Sequence, residues 1–293
     1  MPEFARPPLF RRRGAVVGMA VVSVAALGAG LLLCHTLADS SPDGAAPAAE
    51  KPARSVVAPT AGMAFDYQIG GAYPPPAGTE AVARDRGDKP AEGLYNVCYV
   101  NAFQAQPDAL DWWEHHHPDL LLRDDDGRPV TDEDWDEALL DTSTAAHRAQ
   151  LAEIVGGWID GCAAHGFQAV EPDNLDSYER AEGGLSRADN AAFARLLARR
   201  AHSAGLAIGQ KNTADLTSEH AGIGFDFAVA EECGHYDECG TYAKAYADRV
   251  FVIEYSRSDF DKSCSAWGSK LSVVNRDIDV RRAGRKGYVF RSC

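Results

Sequence analysis

Four polar residues crowd one short stretch: Glu171, Asp173, Asn174 and Asp176 in "AVEPDNLDSY", residues 169–178. An Asp/Asn-rich turn after a strand often does no more than satisfy nearby backbone donors. Other short apolar runs of the chain end in the same way, however. Asp66, Tyr67 and Gln68 close one run, Tyr99 and Asn101 another, and Asp173 and Asn174, with Asp176 and Tyr178, a third. Lys211 and Asn212, Glu231 and Glu232, Glu254 and Tyr255, and Arg276 and Asp277 continue the series. So many polar and aromatic groups at successive strand ends call for a ligand. Carboxylates at different strand ends can face one another across it, which suits cleavage of a glycosidic bond. In that reaction one carboxyl protonates the leaving oxygen and the other attacks or acts as base. Their surroundings must keep one protonated and the other ionised. Trp112, Trp113 and Trp135 add flat faces on which pyranose rings could stack.

Eight apolar runs read as strands: residues 63–69, 94–100, 119–122, 167–171, 206–210, 225–230, 250–255 and 271–275, with 138–140 or 287–290 as substitutes for one of them. Near-continuous apolar runs are expected of strands covered on both faces of a parallel sheet. Between them lie helical patterns. Leu151, Ile154, Val155, Trp158, Ile159 and Cys162 form one apolar stripe, with Ser143 or Thr144 to start the helix and Gly166 to stop it. A second helix, about 189–203, carries Phe193, Leu196, Leu197 and Ala201, with Gly205 beyond its end. About eight such units in roughly 230 residues predict an α/β fold, a single-domain (β/α)8 TIM barrel, with a doubly wound open sheet as the alternative. In a barrel the residues just after each strand share one face, which gathers the polar groups named above.

The first 38 residues are expected to lie outside that domain. Arg11, Arg12 and Arg13 precede twenty uncharged, mostly apolar residues from Gly14 to Leu33, followed by Thr36-Leu37-Ala38. This is the pattern of a secretion signal, and it is also long enough to remain as a membrane anchor. Residues 39–62, rich in Ala, Pro and Ser and without an aromatic residue, read as a tether, and 63–293 as the barrel. The expected location is therefore extracellular, either secreted or held at the outer face of the cell membrane through residues 14–33. Cysteine usage agrees. Setting aside Cys34 leaves six, and the expected pairs are Cys233–Cys239, Cys264–Cys293 and Cys98–Cys162. Removing residues 1–38, with Arg6, Arg11, Arg12 and Arg13 against Glu3, shifts the net charge from −14 to −17. Such a surface repels nucleic acid and concentrates cationic ligands. Oligomeric state has no signature in the sequence.

The segments "FDYQIGG", "GLYNVCYVNAFQ", "LLDTST", "GFQAVEPDNLDSY", "GLAIGQKN" and "FDFAVAEECGHYDECG" resemble, in order and from about residue 63 to the C-terminus, glycoside hydrolase family 114, the endo-α-1,4-polygalactosaminidases. The resemblance implies a (β/α)8 barrel that cuts α-1,4-linked galactosamine polymers within the chain, without a cofactor. It implies a catalytic aspartate after the fourth strand and a glutamate after the sixth. The first matches Asp173, as nucleophile if the mechanism is retaining; the second matches Glu231, as general acid/base, with the adjacent Glu232 as rival. Without acetyl groups such a polymer is a polycation, which gives the acidic surface a partner. Asp66, Asp176, Glu232 and Asp277 are then candidate subsite carboxylates. Tyr67, Tyr99, Asn101, Asn174, Tyr178, Lys211, Asn212 and Tyr255 complete the expected substrate-binding set. Glu171 is a further carboxylate, suited to a substrate amine or to a strand end.

Two other chemistries compete. A glycosidase for another α-linked hexosamine polymer, or a catalytically silent carbohydrate-binding barrel, would carry a similar rim. Metal chemistry is disfavoured: His115, His116 and His117 are consecutive and diverge, without zinc-site spacing. The acidic run 124–137 has oxygens for Ca²⁺ but reads as a solvated loop. Neither a glycine-rich phosphate loop nor a nucleophile-elbow serine is present.

Overall fold

The computed structural model describes residues 55–293, so the expected signal or anchor (1–38) and most of the expected tether lie outside the described residues. In chain order, β1 (Phe65–Gln68), β2 (Ala81–Asp85) and β3 (Tyr95–Asn101) precede β4 (Gln104–Ala105), α1 (Leu110–His116), β5 (Thr131–Asp132) and β6 (Glu137–Leu139). Then come α2 (Ala145–His165), β7 (Ala169–Asp173), α3 (Arg187–Ser203), β8 (Ala207–Lys211), α4 (His220–Ile223) and β9 (Phe227–Glu231). The chain finishes with α5 (Cys239–Tyr246), β10 (Val250–Glu254), α6 (Arg257–Trp267), β11 (Ser272–Arg276) and β12 (Phe290–Ser292).

Eight strands, β1-β2-β3-β7-β8-β9-β10-β11, pair in parallel in that order, and β12 adds antiparallel to β11. β1 meets β11 at the seam, where buried Arg276 reaches Asp66 at 3.5 Å. The architecture is the expected (β/α)8 TIM barrel. Its interior is filled by Phe65, Tyr67, Val97, Phe227, Val229, Phe251, Ile253 and Val274. Phe227 needs room there: a Cβ on Gly209, its neighbour across the β8–β9 pair, would stand 2.8 Å from the ring. The opposite strand face packs under the helices, with Val100, Val155, Ile159, Phe193, Leu197 and Ile208 in one continuous cluster. α2 begins where Thr144 accepts a hydrogen bond from the His147 N–H and ends at Gly166, φ +99°. α3 carries a capping box between Ser186 and Asp189.

Two strand expectations fail for a physical reason. Residues 119–122 are not a barrel strand: Pro118–Leu120 forms a 3-10 turn, and Leu121 makes one bridge to Leu140. Leu120 and Leu121 are buried instead in the cluster beneath the helices, and Leu122 in a small satellite cluster. The missing barrel strand is β2, whose "AVARD" is too short and polar to announce itself. Its Arg84 is nevertheless buried, with guanidinium hydrogen bonds to Gln68 Oε1 and the Tyr73 carbonyl. Residues 138–140, which also read as a substitute barrel strand, help form a small antiparallel sheet, β4-β6-β5, beside the barrel's C-terminal end.

The three disulfides pair as expected, Cys98–Cys162 tying β3 to α2, Cys233–Cys239 closing a short loop, and Cys264–Cys293 fixing the C-terminus to α6. Residues 55–62, the end of the expected tether, lie along the barrel: Pro59 is buried, and the Tyr95 hydroxyl donates to the Val57 carbonyl at 2.7 Å. Among the described residues no helix is long and apolar enough to cross a membrane.

Candidate active site

Three neighbouring strands end on a charged side chain: β7 on Asp173, β8 on Lys211 and β9 on Glu231. Lys211 is the hub. Its Nζ stands 2.9 Å from Asp173 Oδ1, 3.2 Å from Glu171 Oε1 and 3.4 Å from Glu231 Oε2, and it is only 2% exposed. Glu171 joins because residues two apart on a strand point to the same face. Burial disfavours the Lys211 ammonium, but Asp173, Glu231 and Glu171 outweigh it and hold the ammonium well above its ordinary pKa.

Three tyrosines complete a donor ring. Tyr67 donates to Glu171 Oε1 at 2.8 Å, Tyr99 to Asp173 Oδ2 at 2.7 Å, and Tyr255 to Glu231 Oε1. Burial, and then the adjacent carboxylates, raise all three phenols well above their ordinary pKa, so they remain neutral donors. Asp173 is largely, not fully, buried, its side chain 16% exposed, and the loss of water favours its acid form. Lys211, the Tyr99 hydrogen bond and the Asn174 N–H overcome that and place it below its ordinary value, as an ion. Glu171 goes the other way: burial, opposed by Lys211 and reinforced by Asp173, lifts it to about 7. Its Oε2 is buried without a hydrogen-bond partner among the described residues, a position that a neutral carboxyl tolerates better than an anion.

The turns that follow these strands are unusual. Asn174, Asn212 and Glu232 each adopt positive φ, +68°, +46° and +56°, directly after the charged strand end. Asparagine enters this left-handed region readily, whereas glutamate does so rarely. The turn after β8 lets Asn212 grip Glu231 twice, accepting from its backbone N–H at 2.8 Å and donating to its Oε2 at 3.1 Å. Of the two adjacent glutamates, Glu231 therefore converges on Lys211 with Asp173, while Glu232 leaves with the chain, its N–H donating to the Ile253 carbonyl at 2.8 Å.

β3 ends on Asn101, in register with Asp173. Asn101 accepts from Asn174 Nδ2 at 2.9 Å and donates to Glu137 Oε2 at 2.8 Å; Asn174 also reaches that oxygen at 3.3 Å. Glu137, at the start of β6, was not among the residues expected at the site. It belongs to the acidic run read as a solvated loop, and its one sequence signal is the short apolar "ALL" that follows it. Burial, partly offset by the Asn101 hydrogen bond and increased by Asp173, raises its carboxyl to about 7.

Several expected residues lie elsewhere. Asp66 is fully buried at the seam, accepting from Tyr73 and Gln68 and paired with Arg276, so it cannot line a subsite. Asp277 accepts from the backbone N–H groups of Arg281 and Val289 and anchors the C-terminal segment. Tyr178 packs with Leu122, Leu139 and Leu185 in a satellite cluster, its hydroxyl buried. Asp176 pairs with Arg180 at 2.8 Å. Trp113 is buried, while Trp112 is exposed at a pocket of about 200 Å³ that also includes Arg86, Asn101, Gln104 and Trp158. The exposed Trp135 sits at the tip of the β5–β6 hairpin. In the acidic loop, Asp124 serves its own turn and Arg128.

The same barrel occurs in solved structures. Ega3 of Aspergillus fumigatus, in a complex with galactosamine, matches with a TM-score of 0.66 at 23% identity, over 82% of this chain and 98% of that one. The glycoside hydrolase domain of PelA from Pseudomonas aeruginosa matches with a TM-score of 0.54 at 17% identity, over 76% of this chain and 97% of that one. Identities this low speak for the fold. No curated protein matches the chain in sequence. The family model described as glycoside-hydrolase family GH114 covers residues 45–293, all of the barrel, and the chain accordingly belongs to that family of glycoside hydrolases.

Proposed function

We propose that the protein is an exported, endo-acting hydrolase of α-1,4-linked galactosamine polymers, working with retention through Asp173 and Glu231. The observation that carries this is their convergence on one buried ammonium. Both carboxylates reach the same Lys211 Nζ, Asp173 through Oδ1 at 2.9 Å and Glu231 through Oε2 at 3.4 Å, which supports the close pairing that retention needs. Asp173, held ionised by Lys211 and Tyr99, attacks the anomeric carbon while Glu231 gives its proton to the departing glycosidic oxygen. Water then enters, Glu231 takes its proton, and the Asp173–sugar bond breaks with release of the carboxylate. Exposed Trp112 supports a sugar platform at the pocket beside Asn101. Galactosamine as the sugar unit is supported by the complex of Ega3 with it. Export, by cleaved signal or by anchor through residues 14–33, is supported by three disulfides, which persist in oxidising compartments.

The test is to incubate residues 55–293, disulfides intact, with partly deacetylated α-1,4-galactosaminan and with chitosan, and to size the products. Short oligomers of retained anomeric configuration from galactosaminan alone are expected. Asp173→Asn and Glu231→Gln should each lower kcat at least about 1,000-fold, the scale on which knockouts of machinery acting as a unit fall. Glu232→Gln should stay within about tenfold of the parent. Binding of the polymer without cleavage would overturn the hydrolase assignment in favour of a carbohydrate-binding barrel, and full activity in Glu231→Gln would transfer the acid/base role elsewhere.

A further inference from the structure

Glu137 has a place beside the catalytic pair but no part in the chemistry just described. Its Oε2 is fixed by two side-chain amides, from Asn101 and Asn174, and Asn174 directly follows Asp173. Its Oε1 carries no hydrogen bond among the described residues and is not sealed from solvent. The charge around it is mostly negative. β7 contributes Asp173, β5 contributes Asp132, and β3 contributes only the neutral Asn101. The cation near it, Arg180 of the 3-10 turn Ser177–Arg180, is already engaged with Asp132 and Asp176, each at 2.8 Å. Among the described residues, no Lys or Arg makes an ion pair with Glu137. Glu171 is the instructive contrast, since it is matched internally by Lys211 and Tyr67. A half-buried carboxylate held rigidly, with one oxygen free and no ion pair of its own, can take a further cation.

We propose that Glu137 receives the ammonium group of a galactosamine unit bound beside Asp173, and so makes the cleft select non-acetylated units. This rests on the reading of the substrate as an amino-sugar polymer and names the residue that recognises the amine. An acetamido group brings no charge and cannot replace the missing counter-ion, so an acetylated unit gains nothing from Glu137. The carboxyl's position near 7 follows from the same isolation and gives the interaction a pH dependence. As pH falls through about 7 the carboxylate is protonated and loses its hold on the ammonium. A sugar ammonium, like an α-amino group, stays charged over that range.

Isothermal titration of galactosamine and of N-acetylgalactosamine separates these effects, using the parent protein and Glu137→Gln, which keeps an amide of the same shape against Asn101. Galactosamine is expected to bind the variant at least about tenfold more weakly, as follows from removing a charge-assisted hydrogen bond. N-acetylgalactosamine should bind both proteins alike. Between pH 7 and 5 the parent should lose affinity for galactosamine while Glu137→Gln stays flat. Glu137→Asp, which restores the charge on a shorter arm, should recover part of the loss. An equal loss for both sugars, no loss for either, or no binding of galactosamine by the parent would overturn the proposal. The hydrolase reading fails separately. If Glu137→Gln loses galactosamine but the parent never cleaves the polymer, the amine site stands and the hydrolase does not. Cleavage by parent and variant with equal KM would leave the hydrolase and remove the amine site.

Discussion

At the scale of single residues, the centre depends on one cation facing three carboxylates. Removing it leaves buried charge uncompensated, which is more damaging than never having built the pair. Lys211→Met is therefore expected to lose about 3–5 kcal/mol in urea unfolding, the usual cost of breaking a buried ion pair. Its effect on catalysis has a definite sign. The Asp173 carboxyl lies below its ordinary value chiefly because Lys211 offsets burial. Without that ammonium the carboxyl rises, and since the proposed nucleophile must be ionised, the acid limb of kcat should move to higher pH. Lys211→Arg should not rescue either property, because a planar fork cannot take the place of a compact ammonium. A variant with parental stability and an unmoved acid limb would show that Lys211 is not the hub. The sequence made the strand-end residues legible because apolar runs end abruptly on them. It could not show which were spent on structure. Asp66 lies within β1 and Asp277 directly follows β11, yet the first is consumed by Arg276, 210 residues distant, and the second by backbone N–H groups 4 and 12 residues distant in the chain. Glu137 was hidden for the opposite reason, as one carboxyl in an acidic run most of whose members face water, with Asp132 the other buried one.

At the scale of elements, parallel strands were recognisable where both faces are buried in apolar side chains, as in β9 and β10. β2 escaped because Arg84 reaches its burial through hydrogen bonds, which leave no apolar pattern. The leucines at 120–122 misled because burial against helices and a satellite cluster looks the same in sequence as burial in a sheet. Counting survived these errors, since one strand removed and one added before β7 leave Asp173 after the fourth barrel strand and Glu231 after the sixth. The C-terminal elements show how the barrel's seam is kept. Arg276 on β11 donates to the carbonyls of Val289 and Arg281 and reaches Asp66 on β1, and Cys264–Cys293 ties off the segment that supplies those carbonyls. Replacing both cysteines by serine should cost about 2–4 kcal/mol, the common range for a native bridge. The loss should appear first as faster amide exchange in β11, β12 and β1, with β7 to β9 protected. Uniform exchange throughout the barrel would mean that the bridge stabilises the molecule globally and does not guard the seam.

At the scale of the whole molecule, two electrostatic regimes coexist. The net charge of −17 beyond residue 38 belongs to the molecule as a whole, while Lys211 is 2% exposed and its three carboxylates 0–21% exposed. Salt screens the first over about 8–10 Å at physiological strength and barely touches the second. Encounter with a polycation and the chemical step should therefore respond differently. As ionic strength rises from about 0.02 to 0.5 M, KM for a deacetylated galactosamine polymer is expected to climb several-fold as surface attraction is screened. Over the same range kcat should change by less than about twofold, because the charges acting on the reacting atoms are already shielded from solvent ions. A highly acetylated polymer, carrying few ammonium groups, should show little change in either constant. If KM for the cationic polymer is indifferent to salt, the acidic surface serves solubility alone and recognition of the amine is confined to the cleft. If kcat falls together with affinity, ions reach the Lys211 cluster, and its carboxylates are opened to solvent during turnover.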